Sequence, residues 1–359
     1  MSGALRIVDS GLRGARENLS LTAALAELHR QQAIPDTLRF QHFRPSAIVG
    51  RHQHLSREVD LQECVRRNVE TARRMTGGGA IYMAEGLLGW ELIVDRWRTP
   101  GPLDQISRTL CMGLASGLSR LGVQARYRPR NDVEVDGRKI SGTGGYIDGR
   151  TLVFQGTVLI DFDVADMAAV LRLPIDKLDR KGLSALAQRV TSLKQVLAMT
   201  PTTAAVQQAV SGGLAEALDM KPQLAALSQQ EEDIGARYFK DEIGTDTFVD
   251  GEELPASGST VATRYATGGG LVEAVIRLRQ GADPQIERAW ITGDMFVTPP
   301  RSIPDLEAAL VGINLSRAEQ VARSFLDDSG AEMMGASSAD LAKVLGLCWE
   351  AHRSQKVSQ

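Results

Sequence analysis

The sequence has few of the residues that build metal centres and disulfide frameworks. Its 359 residues include only three cysteines, Cys64, Cys111 and Cys348, and no C-x-x-C pair. An odd number of widely spaced cysteines argues against a disulfide framework and against a zinc ribbon, and it favours a reducing compartment. We therefore expect a cytoplasmic protein in which Cys111, inside a predicted helix, is a small buried thiol.

Long apolar runs and an excess of one charge are also lacking. The N-terminal stretch MSGALRIVDSGLRGARENLS has no continuous apolar segment of the kind a secretory signal needs. Nowhere do about 18 apolar residues follow one another, as a membrane span would require. The 41 Lys and Arg residues against 44 Asp and Glu residues give a net charge of -3. No global field therefore favours nucleic acid or an anionic membrane, and we expect binding to neither.

The order of helix and strand signals indicates an α+β fold. Helices are predicted at 18–33, 58–70 and 103–121, and strands at 37–50, 80–94 and 151–163. Hairpin signals are more evident than a regular βαβ alternation, so a mixed sheet is expected rather than a doubly wound one. Residues 165–240 are rich in alanine and are predicted to be mainly helical.

Composition also predicts two domains. The stretch GTDTFVDGEELPASGST is the richest cluster of Gly, Ser, Thr, Asp and Pro in the chain, which is typical of a linker. We place a large domain at 1–245, a linker at 246–260 and a small α+β domain at 261–359.

Two arginines precede three glycines in RRMTGGGAIY, residues 73–82. Glycine lets the main chain approach a ligand closely, and successive N–H groups can point at an anion. Arginine supplies a planar cation that matches phosphate. A flexible turn would explain the glycines equally well. A second triplet, at 268–270, lacks neighbouring arginines, and we interpret it as a linker or strand-entry turn.

The dipeptide Asp136-Gly137 is the strongest hairpin signal in the chain. A two-residue turn here predicts the pairs Val135 with Arg138, Glu134 with Lys139, Val133 with Ile140, and Asp132 with Ser141. Paired side chains share a face of the sheet. Three apolar side chains then form a core face, Val133, Val135 and Ile140, and the other face carries Asp132, Glu134, Lys139 and Ser141.

Two interpretations of Lys139 are open at this point. In one, Lys139 forms a cross-strand ion pair with Glu134 on a solvated face. In the other, its ammonium group enters a cleft as a fixed charge, and Asn131 and Asp132 help to hold a metal bound to a polyphosphate. The small residues of SGTGG, which follow the lysine, leave room for a substrate.

Together these segments resemble the lipoate-protein ligase family. RRMTGGGAIY, NDVEVDGRKISGTGGY and TLVFQGTVLIDFD are similar, in order and spacing, to the family's Arg-Arg-x-x-Gly-Gly-Gly loop, Gly-Arg-Lys hairpin and Gly-Thr strand. PSAIVGRHQHLSREV is similar to a family segment upstream, and the C-terminal part is similar to the accessory domain of bipartite members. The resemblance implies a mixed-sheet α+β catalytic domain, like those of biotin-protein ligases and class II synthetase cores.

The resemblance also implies an activity and its site. Lipoate and ATP, with Mg²⁺, would give lipoyl-AMP, which then acylates a lysine of an acceptor: a 2-oxoacid dehydrogenase E2, a glycine-cleavage H protein or a specialised lipoate-binding protein. A monomer is expected. Lys139 would be catalytic and Asp132 would hold the metal. The nucleotide would be bound by Arg74, Gly77, Gly78, Gly79, Ala80, Ile81, Tyr82, Asn131, Asp132 and Lys139, and the acyl substrate by Lys139, Gly142, Gly156 and Thr157.

Two positions depart from the family pattern. Met83 and Gln155 stand where members often have histidine, which leaves the acyl chain and the acceptor open. The arginine-rich segment RYRPR, residues 126–130, could contact an acidic acceptor domain, a phosphate or only solvent.

Octanoyl and lipoyl transferases are the nearest alternative. They share the fold and the lysine but pass the acyl group through a cysteine thioester, and in their ligase-like branch this cysteine lies shortly before the Gly-Arg-Lys hairpin. The corresponding stretch here, GVQARYRPRNDV, has no cysteine, so adenylate activation is expected instead. A non-catalytic lipoyl-binding partner is a further alternative, against which the intact Arg74 and Lys139 argue. The biotin-ligase loop Gly-Arg-Gly-Arg is missing.

Overall fold

The computed structural model describes residues 3–172, 186–252, 254–255, 260–281 and 283–357. It divides into two compact units. The first comprises Met1–Val49, Leu55–Met75 and Ala80–Asp250, and the second comprises Gly50–His54, Thr76–Gly79 and Gly251–Gln359. The predicted division into a catalytic domain, a linker and an accessory domain stays a prediction.

An eight-stranded mixed sheet forms the centre of the first unit. Its strands are β1 (Gly3–Arg13), β2 (Thr37–Phe43), β6 (Leu87–Asp95), β7 (Ala125–Arg128), β8 (Asp132–Val135), β9 (Arg138–Asp148), β10 (Thr151–Leu159) and β11 (Met220–Ala225). Their order is β11-β1-β2-β6-β10-β9-β8-β7. Strand β1 runs parallel to β2 and β11, whereas β2, β6, β10, β9, β8 and β7 pair antiparallel. The predicted mixed-sheet α+β class is confirmed.

The described part of this unit also has a second, three-stranded sheet and a 3-10 helix at Arg96–Arg98, besides the α-helices. The sheet has the order β4-β3-β5, with β3 at Ser46–Val49, β4 at Glu70–Arg73 and β5 at Ile81–Met83. The helices are α1 (Ala15–Arg30), α2 (Leu55–Glu58), α3 (Leu61–Arg67), α4 (Leu103–Ser119), α5 (Val164–Val170), α6 (Leu193–Val196), α7 (Thr203–Ala217), α8 (Gln229–Asp241) and α9 (Asp246–Asp250).

Local chemistry explains several of these boundaries. The Ser228 side chain accepts the Glu231 N–H at the start of α8, and the Glu231 carboxylate accepts the Ser228 N–H in return, which is a capping box. Asp60 caps α3 in the same way by accepting the Glu63 N–H. The large core lies between the main sheet and helices α4 and α7, where Leu110, Leu114 and Leu214 are fully buried, as is typical of a sheet covered by amphipathic helices.

The sequence-based helix predictions are wrong at two places in this unit. The predicted helix 58–70 ends at Arg67, because Asn68 adopts a left-handed conformation with φ 54°, and β4 follows. The predicted helical stretch 165–240 contains the strand β11, whose residues after Met220 are exposed at the sheet edge. An exposed edge strand shows no alternation of apolar residues, so periodicity could not reveal it. Positions 173–185 of that stretch lie outside the described residues.

The second unit is also α+β. It has a three-stranded antiparallel sheet, with β12 (Thr260–Ala266), β13 (Leu271–Leu278) and β14 (Ile286–Gly293), and a two-stranded sheet of β15 (Phe296–Thr298) and β16 (Glu332–Met334). Its helices are α10 (Ser302–Leu310), α11 (Ala318–Ser329) and α12 (Ser338–Val357). The glycine triplet 268–270 lies in the turn between β12 and β13, which agrees with a strand-entry turn. In the described part of the chain, no helix is long and apolar enough to cross a membrane.

The second unit contains a carboxyl group that should make stability depend on pH. The Glu307 carboxylate accepts the Ile291 N–H at 2.6 Å, and burial is the main cause that raises the pKa of Glu307 to about 7 from the usual 4.5. Between these pH values the folded state holds a proton that the unfolded chain has released. The free energy of unfolding should therefore fall as the pH rises through this window and stay low above it.

We expect Glu307→Gln to raise the free energy of unfolding at pH 8 by up to about 3 kcal/mol, and to change it little near pH 4. The glutamine oxygen can still accept the Ile291 N–H, so the hydrogen bond is kept while the charge is removed. Urea unfolding of the full chain at both pH values measures this difference. If Glu307→Gln changed the free energy of unfolding equally at both pH values, Glu307 would not be the group that holds a proton in the folded state.

Candidate functional site

The predicted hairpin is present, but its register changes after two pairs. Asp136 and Gly137 occupy the turn with φ of 51° and 74°, as a type I′ turn requires. Val135 pairs with Arg138 and Glu134 with Lys139, as predicted. Beyond a bulge, Val133 lies opposite Ser141 and Asp132 lies opposite Gly142. The predicted pairs Val133 with Ile140 and Asp132 with Ser141 are therefore wrong.

The bulge changes which side chains are buried. The predicted core residues Val133, Val135 and Ile140 are buried, but Ser141, expected on the polar face, is fully buried as well. A bulge is one extra residue in one of two paired strands. It bends that strand and changes the side of the sheet to which the following side chains point.

Hydrogen bonds from outside the hairpin hold the bulged strand. The Lys139 N–H donates to the Arg189 carbonyl at 2.9 Å, and the Lys139 carbonyl accepts the Thr191 N–H at 2.8 Å. Both main-chain groups of Lys139 are therefore used by a segment about 50 residues further along the chain. The backbone of the lysine is fixed on both sides, which places its side chain reproducibly on the strand.

The ammonium group of Lys139 contacts Asp132 and not Glu134. The Lys139 Nζ lies 2.7 Å from Asp132 Oδ1, and the lysine side chain is 38% exposed. The Glu134 carboxylate instead lies 4.0 Å from the Arg128 guanidinium. The interpretation of a Glu134–Lys139 ion pair is therefore wrong, and the structure leaves a partly exposed ammonium beside one carboxylate, which is a suitable place for an anionic substrate.

Gly142 gives the lysine side chain its space. A Cβ atom at this position would lie 2.6 Å from Lys139 Nζ and 2.7 Å from Lys139 Cε. Any side chain here would therefore displace the ammonium group from Asp132. The close approach explains why glycine follows the lysine by three residues.

For the acyl transfer that the resemblance implies, we expect Gly142→Ala to reduce the rate at least tenfold while the free energy of unfolding changes by less than about 1 kcal/mol. The clash falls on the far end of a flexible side chain, so the lysine can move away without disturbing the core. Comparing the transfer rate with the urea midpoint of the same variant checks this. A large loss of stability, or full activity, would contradict the assigned contact.

Asn131 and Cys111 belong to a network beside this hairpin. The Thr143 N–H and Oγ1 both donate to the Asn131 carbonyl at 2.9 Å, and the Asn131 side chain donates back to the Thr143 carbonyl. The Cys111 Sγ lies 3.3 Å from Thr143 Oγ1. Cys111 is fully buried in α4 as predicted, and burial raises the pKa of its thiol to about 11. The thiol is therefore protonated at neutral pH and is a poor nucleophile.

The two arginines before the glycine run differ in their surroundings. Both are buried. The Arg73 guanidinium donates to the carbonyls of Phe248, Val249 and Asp250, at 3.0 to 3.2 Å, so it binds the C-terminal end of α9. The Arg74 guanidinium contacts the Ile48 carbonyl at 3.3 Å. The expected phosphate role of Arg74 stays a prediction, whereas Arg73 has a structural partner that the sequence did not reveal.

The glycine run makes main-chain contacts within the second unit. The Gly78 N–H donates to the Met295 carbonyl at 3.1 Å. A Cβ atom at Gly77 would lie 1.9 Å from the same carbonyl oxygen, so only glycine fits there. A Cβ atom at Gly79 would meet the Asp294 carboxylate at 3.5 Å. Phosphate binding by the Gly78 N–H would require its present hydrogen bond to open.

The remaining predicted residues lie in the first unit. Ala80 precedes β5, and Ile81 and Tyr82 form its start. Their partly buried side chains pack on apolar clusters, and their expected contact with a nucleotide stays a prediction. Gly156 and Thr157 lie on β10, opposite Trp90 and Gly89 of β6. A Cβ atom at Gly156 would lie 2.4 Å from the Trp90 ring, and the expected role of Gly156 and Thr157 in binding the acyl substrate stays a prediction.

A buried polar network next to Gln155 is absent from the sequence-based predictions. Arg39 and Glu91 are both fully buried, and their Nε and Oε1 atoms lie 2.5 Å apart. The other oxygen of Glu91 accepts bonds from Thr22 at 2.7 Å and from Gln155 Nε2 at 3.0 Å. Glu91 is the only charged residue within LLGWELIV, the stretch that forms most of β6. A charge in a strand that is buried on both faces needs a partner, so Glu91 was the sequence signal that could have predicted this network.

The residues present fit a magnesium ion only with ligands from a nucleotide. Among the described residues there is no group of three His, Cys, Asp or Glu side chains that could hold a metal. Asp132 is a single carboxylate and already contacts Lys139. Mg²⁺ in nucleotide sites is commonly held by one or two carboxylates together with phosphates and water, so Asp132 could serve in that way.

A cavity of ≈ 420 Å³ lies elsewhere in the first unit. Its lining residues are Asp95, Arg96, Trp97, Pro100, Gly101 and Arg150. The lining residue Arg150 lies in the turn that follows Asp148, the last residue of β9. Lys139 lies near the other end of β9, nine residues before Asp148. This separation is about 30 Å at the usual rise of a strand, so the cavity is separate from the Lys139 hairpin.

Comparison with known families and proteins gives a consistent match. The model of the lipoyl protein ligase A/B catalytic domain matches residues 14–215. The octanoyltransferase LipM of Symbiobacterium thermophilum is 26% identical over 266 residues, which cover 68% of this chain and 97% of that protein. A probable lipoate-protein ligase A of Mycoplasma pneumoniae is 30% identical over 157 residues, which cover 43% of this chain and 46% of that protein.

The fold also matches a solved structure over almost the whole chain. The crystal structure of P. falciparum LipL1 in complex with lipoate has a TM-score of 0.73 and covers 98% of this chain and 99% of that one, at 16% identity. At this identity the likeness shows the fold alone, and it agrees with the mixed-sheet α+β class.

Proposed function

The chain belongs to the lipoyl protein ligase A/B catalytic-domain family, and from this premise we propose that it is an ATP-dependent lipoate-protein ligase. The family contains both ligases and octanoyltransferases, so the route of acyl activation is the point to decide. The observation that favours ATP is the state of Cys111. It is the cysteine that shares a network with the Lys139 hairpin, and it is fully buried with a pKa raised to about 11. A thioester route needs an accessible thiolate.

In the first proposed step, a carboxylate oxygen of lipoate attacks the α-phosphorus of ATP. The bond to the pyrophosphate oxygen breaks, and lipoyl-AMP forms. This step brings two anions together, and the Lys139 ammonium would lower their repulsion. The nearby Asp132 would keep the ammonium in place before substrate binds. Asp132, together with the phosphates, would hold Mg²⁺, which would supply positive charge against the pyrophosphate.

In the second proposed step, the neutral ε-amine of an acceptor lysine attacks the acyl carbon. The bond between that carbon and the AMP oxygen breaks, AMP leaves, and the attacking nitrogen loses a proton. Lys139 would stabilise the oxygen anion that develops on the carbonyl. Arg74, the glycine run and the main chain of residues 80–82 would hold the adenylate between the two steps.

Octanoyl transfer from an acyl carrier protein is the second candidate function. The observation that favours it is the match to LipM over 97% of that protein. In this reaction the acyl group would pass through a cysteine thioester and no ATP would be consumed.

Two measurements separate these functions. With ATP and lipoate the protein should release pyrophosphate and add a lipoyl mass to an unmodified E2 lipoyl domain, whereas octanoyl carrier protein without ATP should give no product. Cys111→Ala should keep transfer within about threefold of wild type, because loss of a small buried thiol affects mainly packing. If the wild type transfers octanoate from octanoyl carrier protein and Cys111→Ala does not, the protein is an octanoyltransferase instead.

A further inference from the structure

Strand β7 forms the outer edge of the main sheet. This strand and the turn that follows it carry an arginine row, which we define as Arg126, Arg128 and Arg130. In the described part of the chain β7 pairs with a strand on one side only. All three arginines are exposed, whereas the intervening Tyr127 packs against the core. The side chains of Arg126 and Arg128 therefore point away from the face that α4 covers.

The arginine row shares its face with the catalytic candidate. Arg126 pairs with Glu134, and Glu134 pairs with Lys139, so their side chains project from the same side of the sheet. Strands β7 and β9 are separated by one strand, which places them about 10 Å apart. A partner that brings a group to Lys139 therefore also covers the row.

The charges of the row are poorly neutralised by the protein itself. The nearest carboxylate to Arg128 is Glu134 at 4.0 Å, and the contact made by Arg126 is with the neutral Gln124 at 3.5 Å. The chain as a whole carries a net charge of -3, so this exposed basic strip differs from the average surface. Such a strip attracts an acidic surface and speeds encounter with it.

We propose that the arginine row is the docking surface for an acidic face of the acceptor protein. This inference rests on the proposed transfer to a lysine of a folded acceptor. A typical interface covers about 800 Å² on each partner, or a radius of about 16 Å. Because the acceptor lysine reaches the acyl group through a four-carbon stem, the body of its domain lies within that radius of Lys139 and contacts β7.

A purely structural explanation predicts something different. Charged residues on an edge strand commonly prevent pairing with other chains. In that case, reversing the charges would affect aggregation but not the affinity for the acceptor. The arginines could also bind the phosphates of ATP, and then the KM for ATP would change.

The test compares two double variants with the same change in charge. Arg126→Glu/Arg128→Glu is expected to raise the KM for an unmodified E2 lipoyl domain at least tenfold, with pyrophosphate release from ATP and lipoate close to wild type. The control is Arg30→Glu/Arg237→Glu. These arginines are 51% and 54% exposed, and they pair with Asp148 and Glu27 in the same unit. The control should leave the acceptor KM unchanged.

Salt supplies a second readout. For the wild type, kcat/KM for the acceptor should fall as ionic strength rises, and this dependence should be weaker in Arg126→Glu/Arg128→Glu. Arg126→Lys/Arg128→Lys should keep most of the affinity, because the charge is retained.

Three outcomes would overturn the inference: an unchanged acceptor KM in the reversed variant, an equal rise in the control, or a rise in the KM for ATP instead. Failure of the proposed function looks different, since the wild type itself would then release no pyrophosphate. The acceptor KM can still be measured in that case with octanoyl carrier protein as the acyl donor, because both reactions end on the same lysine.

Discussion

Lys139→Ala is expected to lower lipoyl-AMP formation by about 10³-fold. The substitution removes the ammonium group that would meet both the α-phosphate and the acyl carbonyl. It also leaves Asp132 as an uncompensated negative charge next to two anionic substrates. The fold should persist, because the buried side of the hairpin, with Val133, Val135 and Ile140, is untouched. Single-turnover formation of lipoyl-AMP measures the effect.

Two controls accompany Lys139→Ala. Arg138→Ala changes the neighbouring cation on the opposite face of β9 and should keep the rate within about threefold. Lys139→Ala/Asp132→Asn should recover part of the lost rate if repulsion by the bare carboxylate contributes. Wild-type turnover in Lys139→Ala would refute the proposed role of the lysine in either reaction step.

The second large effect is expected on stability. Glu91→Ala should lower the free energy of unfolding of the first unit by about 3 to 5 kcal/mol, because it leaves the fully buried Arg39 without its carboxylate. For a unit of this size the thermal midpoint should fall by roughly 10 °C. Gln155 loses its Glu91 partner at the same time, so acyl transfer should fall as well. Thermal unfolding and hydrogen exchange of β6 measure the loss.

The double variant Arg39→Met/Glu91→Met separates the charge effect from packing. Replacing both partners with apolar side chains of similar length removes the unpaired charge, so it should be less destabilising than Glu91→Ala. If the double variant were the less stable of the two, loss of packed volume rather than an unpaired charge would explain the result.

The sequence was sufficient for the features that depend on neighbouring residues. Asp136 and Gly137 specify a two-residue turn because both adopt positive φ. Alternation along each strand then identifies Val133, Val135 and Ile140 as buried, and this is observed. Motif order identified the family, which the match over residues 14–215 confirms.

The sequence could not determine contacts between distant segments. The partner of Lys139 depends on a bulge, and the bulged strand is held by hydrogen bonds to Arg189 and Thr191, far along the chain. The bulge leaves the Glu134–Lys139 pair in place but brings Gly142 opposite Asp132. Because glycine has no side chain, the ammonium group of Lys139 can reach Asp132 there. Local turn chemistry carries no information about those distant bonds.

The sequence alone therefore determined the family, the α+β class and the position of the lysine on its hairpin. The tertiary structure decided the surroundings of that lysine: the Asp132 contact, the space at Gly142 and the exposed arginines on β7. It also revealed the buried Arg39–Glu91 pair and the use of Arg73 by α9. The physical reason is the same throughout: turn and strand preferences act over a few residues, whereas ion pairs, bulges and close approaches depend on which distant segments the fold brings together.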